Sequence, residues 1–144
     1  GWLGRTAPRP TSRAVGLGSP TPTTGLPASS PTRHLQVTFP TYLPAAAAIT
    51  SAQLVHTWRS ATSGRNVCSY FEVYSGATLL ATHFSAAAPS CNATTTFGTD
   101  TVSLPELNTA AKVNAVIIEL YVRDSVAGRS QHDLFKLYVA YAVA

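Results

Sequence analysis

The residues of this sequence best suited to covalent chemistry are its two cysteines, Cys68 and Cys91. Their spacing is not that of a metal site, and the chain is poor in charge and rich in threonine and serine. We therefore expect a disulfide made outside the reducing cytoplasm. It would close a loop of about 24 residues and contribute roughly 3 kcal/mol in the chain-entropy model. Two buried free thiols are the alternative.

The four histidines offer nitrogen ligands, but their spacing does not favour a metal site. No two of them are spaced as H-x-H or H-x-x-x-H, and no cysteine or carboxylate cluster completes a ligand set. His132 and Asp133 are adjacent, and adjacent residues of a strand point to opposite faces. His56 and Trp58 share a face, where they form either an aromatic patch or the edge of the core. We expect no metal ion and no other cofactor.

Hydrolytic catalysis needs two facing carboxylates, or a nucleophile with a base and an orienting acid. Serines are abundant, but the sequence contains no G-x-S-x-G motif and no glycine-rich phosphate-binding loop. Its six acidic residues are scattered. We therefore expect no enzymatic activity and assign no catalytic residue.

Two features suggest carbohydrate, either attached or bound. Asn92 begins an N-x-T sequon next to Cys91, which predicts an N-glycan on Asn92 in a host that makes them. Aromatic rings on a sheet face can also stack on sugars, although within apolar strands a core or subunit contact is the more frequent role. A secreted carbohydrate-binding module is thus an alternative function. The rings that could serve it are Trp58, Tyr70, Tyr74, Tyr121 and Tyr138.

Charge and proline divide the chain into an arm, residues 1–33, and a body, residues 34–144. The arm has four arginines, no acidic residue and six of the ten prolines, whereas the body has six basic and six acidic residues. A Pro/Ser/Thr-rich arm cannot bury enough apolar surface to fold alone, so we expect it to be extended and to lie on a neighbouring subunit. Four dispersed arginines do not favour nucleic-acid binding. No apolar run approaches the roughly 18 residues of a membrane-spanning helix.

The body alternates apolar and polar residues with period two, which is typical of half-buried strands. About eight short strands predict an all-β domain, a two-sheet β-sandwich that is jelly-roll-like. The predicted strands are 34–39, 50–59, 67–74, 78–85, 93–97, 101–104, 112–123 and 133–143.

Local patterns refine this prediction. The strand at 112–123 is apolar on both faces, so it belongs in the middle of a sheet. In the last strand, alternate residues from Phe135 to Val143 share one apolar face. Ser75 and Gly76 predict a tight hairpin, and Pro105 suits the start of a single short helix over 104–112.

These features favour a structural subunit that assembles with copies of itself. Only 11% of the residues are charged, against about 25% in a typical soluble domain, so uncharged faces are available for subunit contact. The disulfide favours an extracellular filament or pilus-like assembly over a virion capsid-decoration or tail protein. An exposed sheet edge can accept an extended segment as an added strand. The segment we expect to be exchanged follows the arm and consists of His34, Leu35, Gln36, Val37, Thr38 and Phe39.

Overall fold

The computed structural model describes residues 9–17, 19–22, 32–39, 42–61, 63–64, 66–124 and 130–143. Within these residues, ten strands and one short helix form two antiparallel sheets packed as a sandwich, which confirms the predicted fold class. The strands are β1 (Arg9–Leu17), β2 (Ser19–Pro22), β3 (Thr32–Thr38), β4 (Ala48–Ser60), β5 (Val67–Ser75), β6 (Thr78–His83), β7 (Ser90–Asn92), β8 (Gly98–Ser103), β9 (Val116–Asp124) and β10 (Ser130–Val143), and the helix α1 spans Ala110–Asn114.

The strand order is that of a jelly roll. One sheet has the order β1-β10-β4-β8, and the other has the order β2-β3-β9-β5-β6, with the short β7 also paired to β5. Every pairing is antiparallel, and the first and last strands are neighbours, as they are in a jelly roll. Residues 9–17 and 19–22, which belong to the expected extended arm, each supply an edge strand to one sheet, and the boundary expected at residue 33 falls inside β3.

The core lies between the sheets and follows the predicted alternation. In β9, which is the central strand of its sheet as predicted, Val116, Ile118, Leu120 and Val122 are buried. In β10, the inward residues from Phe135 to Tyr141 are buried in the same way. Burying these side chains contributes about 25 cal/mol for each Å² of apolar surface removed from water, which is the main force holding the sheets together.

The hairpin between β5 and β6 has the expected turn. Ser75 pairs with Thr78, which leaves two residues in the loop, and Gly76 has a φ of 58°. A side chain at this left-handed φ is strained, so glycine suits the first loop position.

Two local predictions were wrong. No strand covers 93–97, because the Asn92 side chain turns the chain there: its Oδ1 accepts hydrogen bonds from the backbone N–H (2.9 Å) and hydroxyl (2.8 Å) of Thr94. The helix lies at Ala110–Asn114, where the Thr109 hydroxyl caps it by accepting from the backbone N–H of Lys112. The strand predicted from 112 therefore begins at 116. With five residues, the helix is far too short to span a membrane.

Candidate functional site

The expected disulfide joins two adjacent antiparallel strands. Cys68 on β5 and Cys91 on β7 stand directly opposite each other, with an S–S distance of 2.04 Å. The bond ties the long connection between β6 and β8 to the centre of the six-stranded sheet. It therefore holds in place the loop that carries Asn92.

A cluster of rings fills one end of the sandwich. His56 on β4 and His132 on β10 form a hydrogen bond between Nε2 and Nδ1 at 2.7 Å, and the His132 Nε2 meets the Ser130 hydroxyl at 2.8 Å. The rings of Trp58 and Phe135 stack on both histidines. His56 and Trp58 are only 3% and 2% exposed, so they belong to the core rather than to a surface patch.

Burial keeps this histidine pair neutral. It lowers the pKa of His56 well below the usual value of 6.5, and the nearby His132 lowers it further. It also lowers the pKa of His132 to about 4. Among the described residues, no group of three or more histidine, cysteine or acidic side chains gathers as metal ligands would. The pair is thus a buried hydrogen-bonded element that acid can disturb.

A cleft of about 310 Å³ opens beside this cluster, between β8 and the loop that follows β7. Its carboxylate, Asp100, points inward, and its Oδ2 accepts hydrogen bonds from Trp58 Nε1 (3.1 Å) and the Ser90 hydroxyl (2.8 Å). The guanidinium of Arg59 lies 4.4 Å from the centre of the Phe97 ring at the rim. The lining offers hydroxyl and amide groups around one carboxylate. The residues that line it are Trp58, Cys91, Asn92, Thr94, Thr96, Phe97, Gly98, Thr99 and Asp100.

The sequence alone did not single out Asp100 or the contact between His56 and His132. The strands were predicted to begin at 101 and 133, whereas β8 begins at Gly98 and β10 at Ser130. Extending the alternation back from Val102 would have placed Asp100 on the inner face. The same alternation back from Phe135 would have placed His132 on the outer face, and His132 lies on the inner face because the pairing of β10 with β4 shifts its register between His132 and Leu134. The partners of Asp100 and His132 lie 42 and 76 residues away in the chain, and no sequence signal indicates that pairing.

Asn92 has a structural role in the folded chain. Its Nδ2, the atom that would carry an N-glycan, donates to the backbone carbonyl of Trp58 at 3.1 Å. A Cβ added at Gly98 would lie only 3.3 Å from that nitrogen, so the space around it is small. Glycosylation of Asn92 stays a prediction, and a glycan there would have to displace this hydrogen bond.

The aromatic residues considered for sugar binding do not form one surface. Trp58 is buried, and Tyr138 lies on the four-stranded sheet, where the Lys136 ammonium is 5.1 Å from its ring centre. Tyr70 stacks on Tyr121 on the outer face of the six-stranded sheet, with ring centres 4.9 Å apart.

The hydroxyl groups of Tyr74 and Tyr121 on the six-stranded sheet already form hydrogen bonds within the sheet. Glu72 Oε1 accepts hydrogen bonds from Tyr74 and Tyr121, each at 3.1 Å. Burial first, and then this bond to Glu72, raise the pKa of Tyr121 above its usual value. These hydroxyls are therefore held by the sheet itself.

The outer face that β4, β8 and β10 form on the four-stranded sheet, which we call the charge-poor face, has few charged side chains. Its residues alternate with the buried ones on these three strands. Two of them, Arg59 and Lys136, carry charge, and the exposed Asp133 lies at the bulge of β10 beside Leu134. The others are small, hydroxyl-bearing, apolar or, at Gln53, an amide. The alternating residues of this face are Ser51, Gln53, Val55, Thr57, Arg59, Thr99, Thr101, Ser103, Leu134, Lys136, Tyr138, Ala140 and Ala142.

The four sheet edges differ in how they are protected. Proline cannot donate to a ladder, and it stands in both edge strands from the N-terminal region: Pro10 in β1, and Pro20 and Pro22 in β2. The opposite edges, β6 and β8, have no proline or lysine, and each pairs on one side only among the described residues. Natural sheets usually protect such edges.

The segment expected to be exchanged lies inside its own sheet. Residues 34–38 belong to β3, which pairs with β9 on one side and with β2 on the other. Val37 is fully buried, and Leu35 and Phe39 pack against the core. Exchange of this segment stays a prediction, and it would have to break two ladders.

Comparison with known proteins places the chain in no family. No family model matches the sequence, and no curated protein matches it. Among solved structures, the fold is similar to a chain in a structure of infectious bursal disease virus, Gx strain, with a TM-score of 0.40 and 11% identity. The match covers 95% of this chain and 32% of the viral chain.

Proposed function

We propose that this protein is a non-enzymatic structural subunit of an extracellular filament or similar surface assembly, and that its partners are copies of itself. The charge-poor face carries this proposal. A charged side chain loses hydration when it is buried, whereas threonine, serine, alanine and tyrosine can be covered at much lower cost. Across the described residues of β4, β8 and β10, this broad face has at most three charged side chains, Arg59, Lys136 and the bulge residue Asp133. Such a face suits contact with another subunit better than permanent exposure to water.

Two further observations support the proposal. The disulfide between Cys68 and Cys91 is typical of proteins that fold outside the reducing cytoplasm, where surface assemblies operate. The edges of β6 and β8 present backbone groups that another chain could pair with. The carboxylate of the cleft, Asp100, accepts hydrogen bonds from Trp58 and Ser90, which is in keeping with a role in the fold.

The experiment measures the mass of the purified protein in solution by light scattering over a range of concentrations. We expect species larger than one chain, and we expect Gln53→Glu and Thr101→Glu on the charge-poor face to raise the dissociation constant at least about tenfold, which corresponds to 1.4 kcal/mol. Ala111→Glu adds the same charge at an exposed position of α1 and serves as the matched control. A monomer at every concentration would overturn the proposal, and so would equal weakening by the control.

A further inference from the structure

β10 is the longest of the described strands, and it is paired along both of its sides. One side of β10 pairs with β4, and the other pairs with β1 from Arg9 to Leu17. Between the sheets, Leu137 and Val139 of β10 are fully buried. A strand in the position of β1 is therefore an integral part of the four-stranded sheet.

β1 joins the four-stranded sheet through a single backbone ladder. β1 pairs with β10 through eight residue pairs, and in the described part of the chain it pairs with no other strand. Backbone hydrogen bonds do not depend on which copy of the chain supplies the strand. An identical β1 from a second copy would form the same ladder in the same register.

The connection from β1 to β2 favours such an exchange. Leu17 pairs with Lys136 in the four-stranded sheet, and Ser19 pairs with Thr38 in the six-stranded sheet. Only Gly18 lies between them, so their Cα atoms are at most about 7.6 Å apart, whereas packed sheets are about 10 Å apart. A single residue therefore connects strands of two different sheets, and short connections of this kind favour exchange between copies.

With β1 and β2 paired in different subunits, this one-residue connection would no longer have to join two sheets of the same sandwich. β2 would stay on β3 of its own chain, while β1 would cross to the neighbour. The prolines at 20 and 22 favour an extended backbone in β2, because proline restricts both its own backbone and that of the residue before it. Exchange of β1 breaks one ladder, whereas exchange of β3 would break two.

We propose that β1 is exchanged between subunits, so that residues 9–17 of one copy complete the four-stranded sheet of another by pairing with its β10. This proposal rests on the proposed function, and it names the strand that is donated, β1, and the strand that accepts it, β10. Because each subunit can donate β1 to one neighbour and accept it from another, the exchange can form either a closed dimer or an open chain.

The test uses cysteine pairs in the full chain, since the two native cysteines are already bonded to each other. Ser12 and Ala140 are opposite each other in the ladder. Ser12→Cys and Ala140→Cys are made as separate proteins, refolded together and oxidised. Exchange predicts a conjugate of twice the chain mass, with peptides joined between positions 12 and 140. Ser12→Cys mixed with Thr101→Cys, on the opposite edge, is the control and should form at least tenfold less conjugate.

The outcomes separate this inference from the proposed function. If the mixture forms no conjugate while the double variant closes within one chain, β1 pairs with its own β10 and the inference is wrong, although light scattering can still show assembly. A monomer by light scattering overturns both. Three residues inserted between β1 and β2 lengthen the connection and should lower the yield of conjugate at least tenfold. An unchanged yield would overturn the role of the short connection.

Discussion

Acid should destabilise this protein well before its carboxylates titrate, because His56 and His132 are buried as a neutral pair. In the unfolded chain each histidine has a pKa near 6.5, whereas burial lowers the pKa of His132 to about 4 in the folded protein. Between these values the unfolded state binds more protons than the folded state. Stability is therefore greatest above pH 6.5, falls as the pH is lowered, and stops falling from this cause below about pH 4.

The magnitude follows from the two pKa values of His132. Between pH 7.5 and pH 5, the difference in proton binding lowers the free energy of unfolding by about 2 kcal/mol for this residue. His56 adds a loss of the same sign, since burial lowers its pKa as well. Such a loss is a large share of the roughly 5–15 kcal/mol that stabilises a typical domain.

Urea unfolding followed by circular dichroism at pH 7.5 and pH 5 measures this effect. The comparison is a His56→Gln/His132→Gln variant, which cannot titrate in this range. The variant is expected to be less stable at pH 7.5, but its stability should change far less between the two pH values. Equal changes in the two proteins, or a wild type that is more stable at pH 5, would refute the reasoning.

Three further predictions concern the fold. Replacing Cys68 and Cys91 by alanine opens the cross-linked loop and should lower the free energy of unfolding by about 3 kcal/mol in urea titrations; a loss under about 1 kcal/mol would contradict this. Asn114→Ala removes hydrogen bonds to the backbone N–H (2.7 Å) and carbonyl (2.9 Å) of Leu43, which should cost about 1–3 kcal/mol and speed hydrogen exchange at the Leu43 amide. Unchanged hydrogen exchange at the Leu43 amide would contradict the role of Asn114 in holding this backbone. Leu120→Ala leaves a cavity between the sheets and should cost about 2–5 kcal/mol in thermal unfolding, and a loss under about 1 kcal/mol would show that the site collapses.

Much of the fold could be predicted because strands leave a local signal. The period-two alternation from Phe135 to Tyr141 corresponds to the buried face of β10, whereas Val143, predicted to share that face, is exposed. The doubly apolar run around Ile118 corresponds to the centre of a sheet. The hairpin at Gly76 follows from turn chemistry. Where a side chain redirects the backbone, as Asn92 does, propensity alone predicted a strand that does not exist.

The candidate contact surfaces were only partly predictable. The low charge of the sequence indicates that uncharged faces exist, but only the pairing of β4, β8 and β10 gathers those residues on one face. The region before residue 34 reads as an arm because proline and glycine dominate its composition. In the structure, its residues 9–17 complete the four-stranded sheet. The backbone groups of β10 on the side away from β4 pair with this strand, and proline is tolerated at a sheet edge.

The sequence by itself determined the all-β class, the two-sheet sandwich and the two cysteines available for a disulfide, because each depends on periodicity or composition within short stretches. Only the tertiary structure decided that His56 meets His132, that Trp58 donates to Asp100 and that the first strand lies beside the last. Such contacts depend on strand order and register. They close loops of tens of residues, for which the entropic cost is offset only when the whole sandwich packs at once.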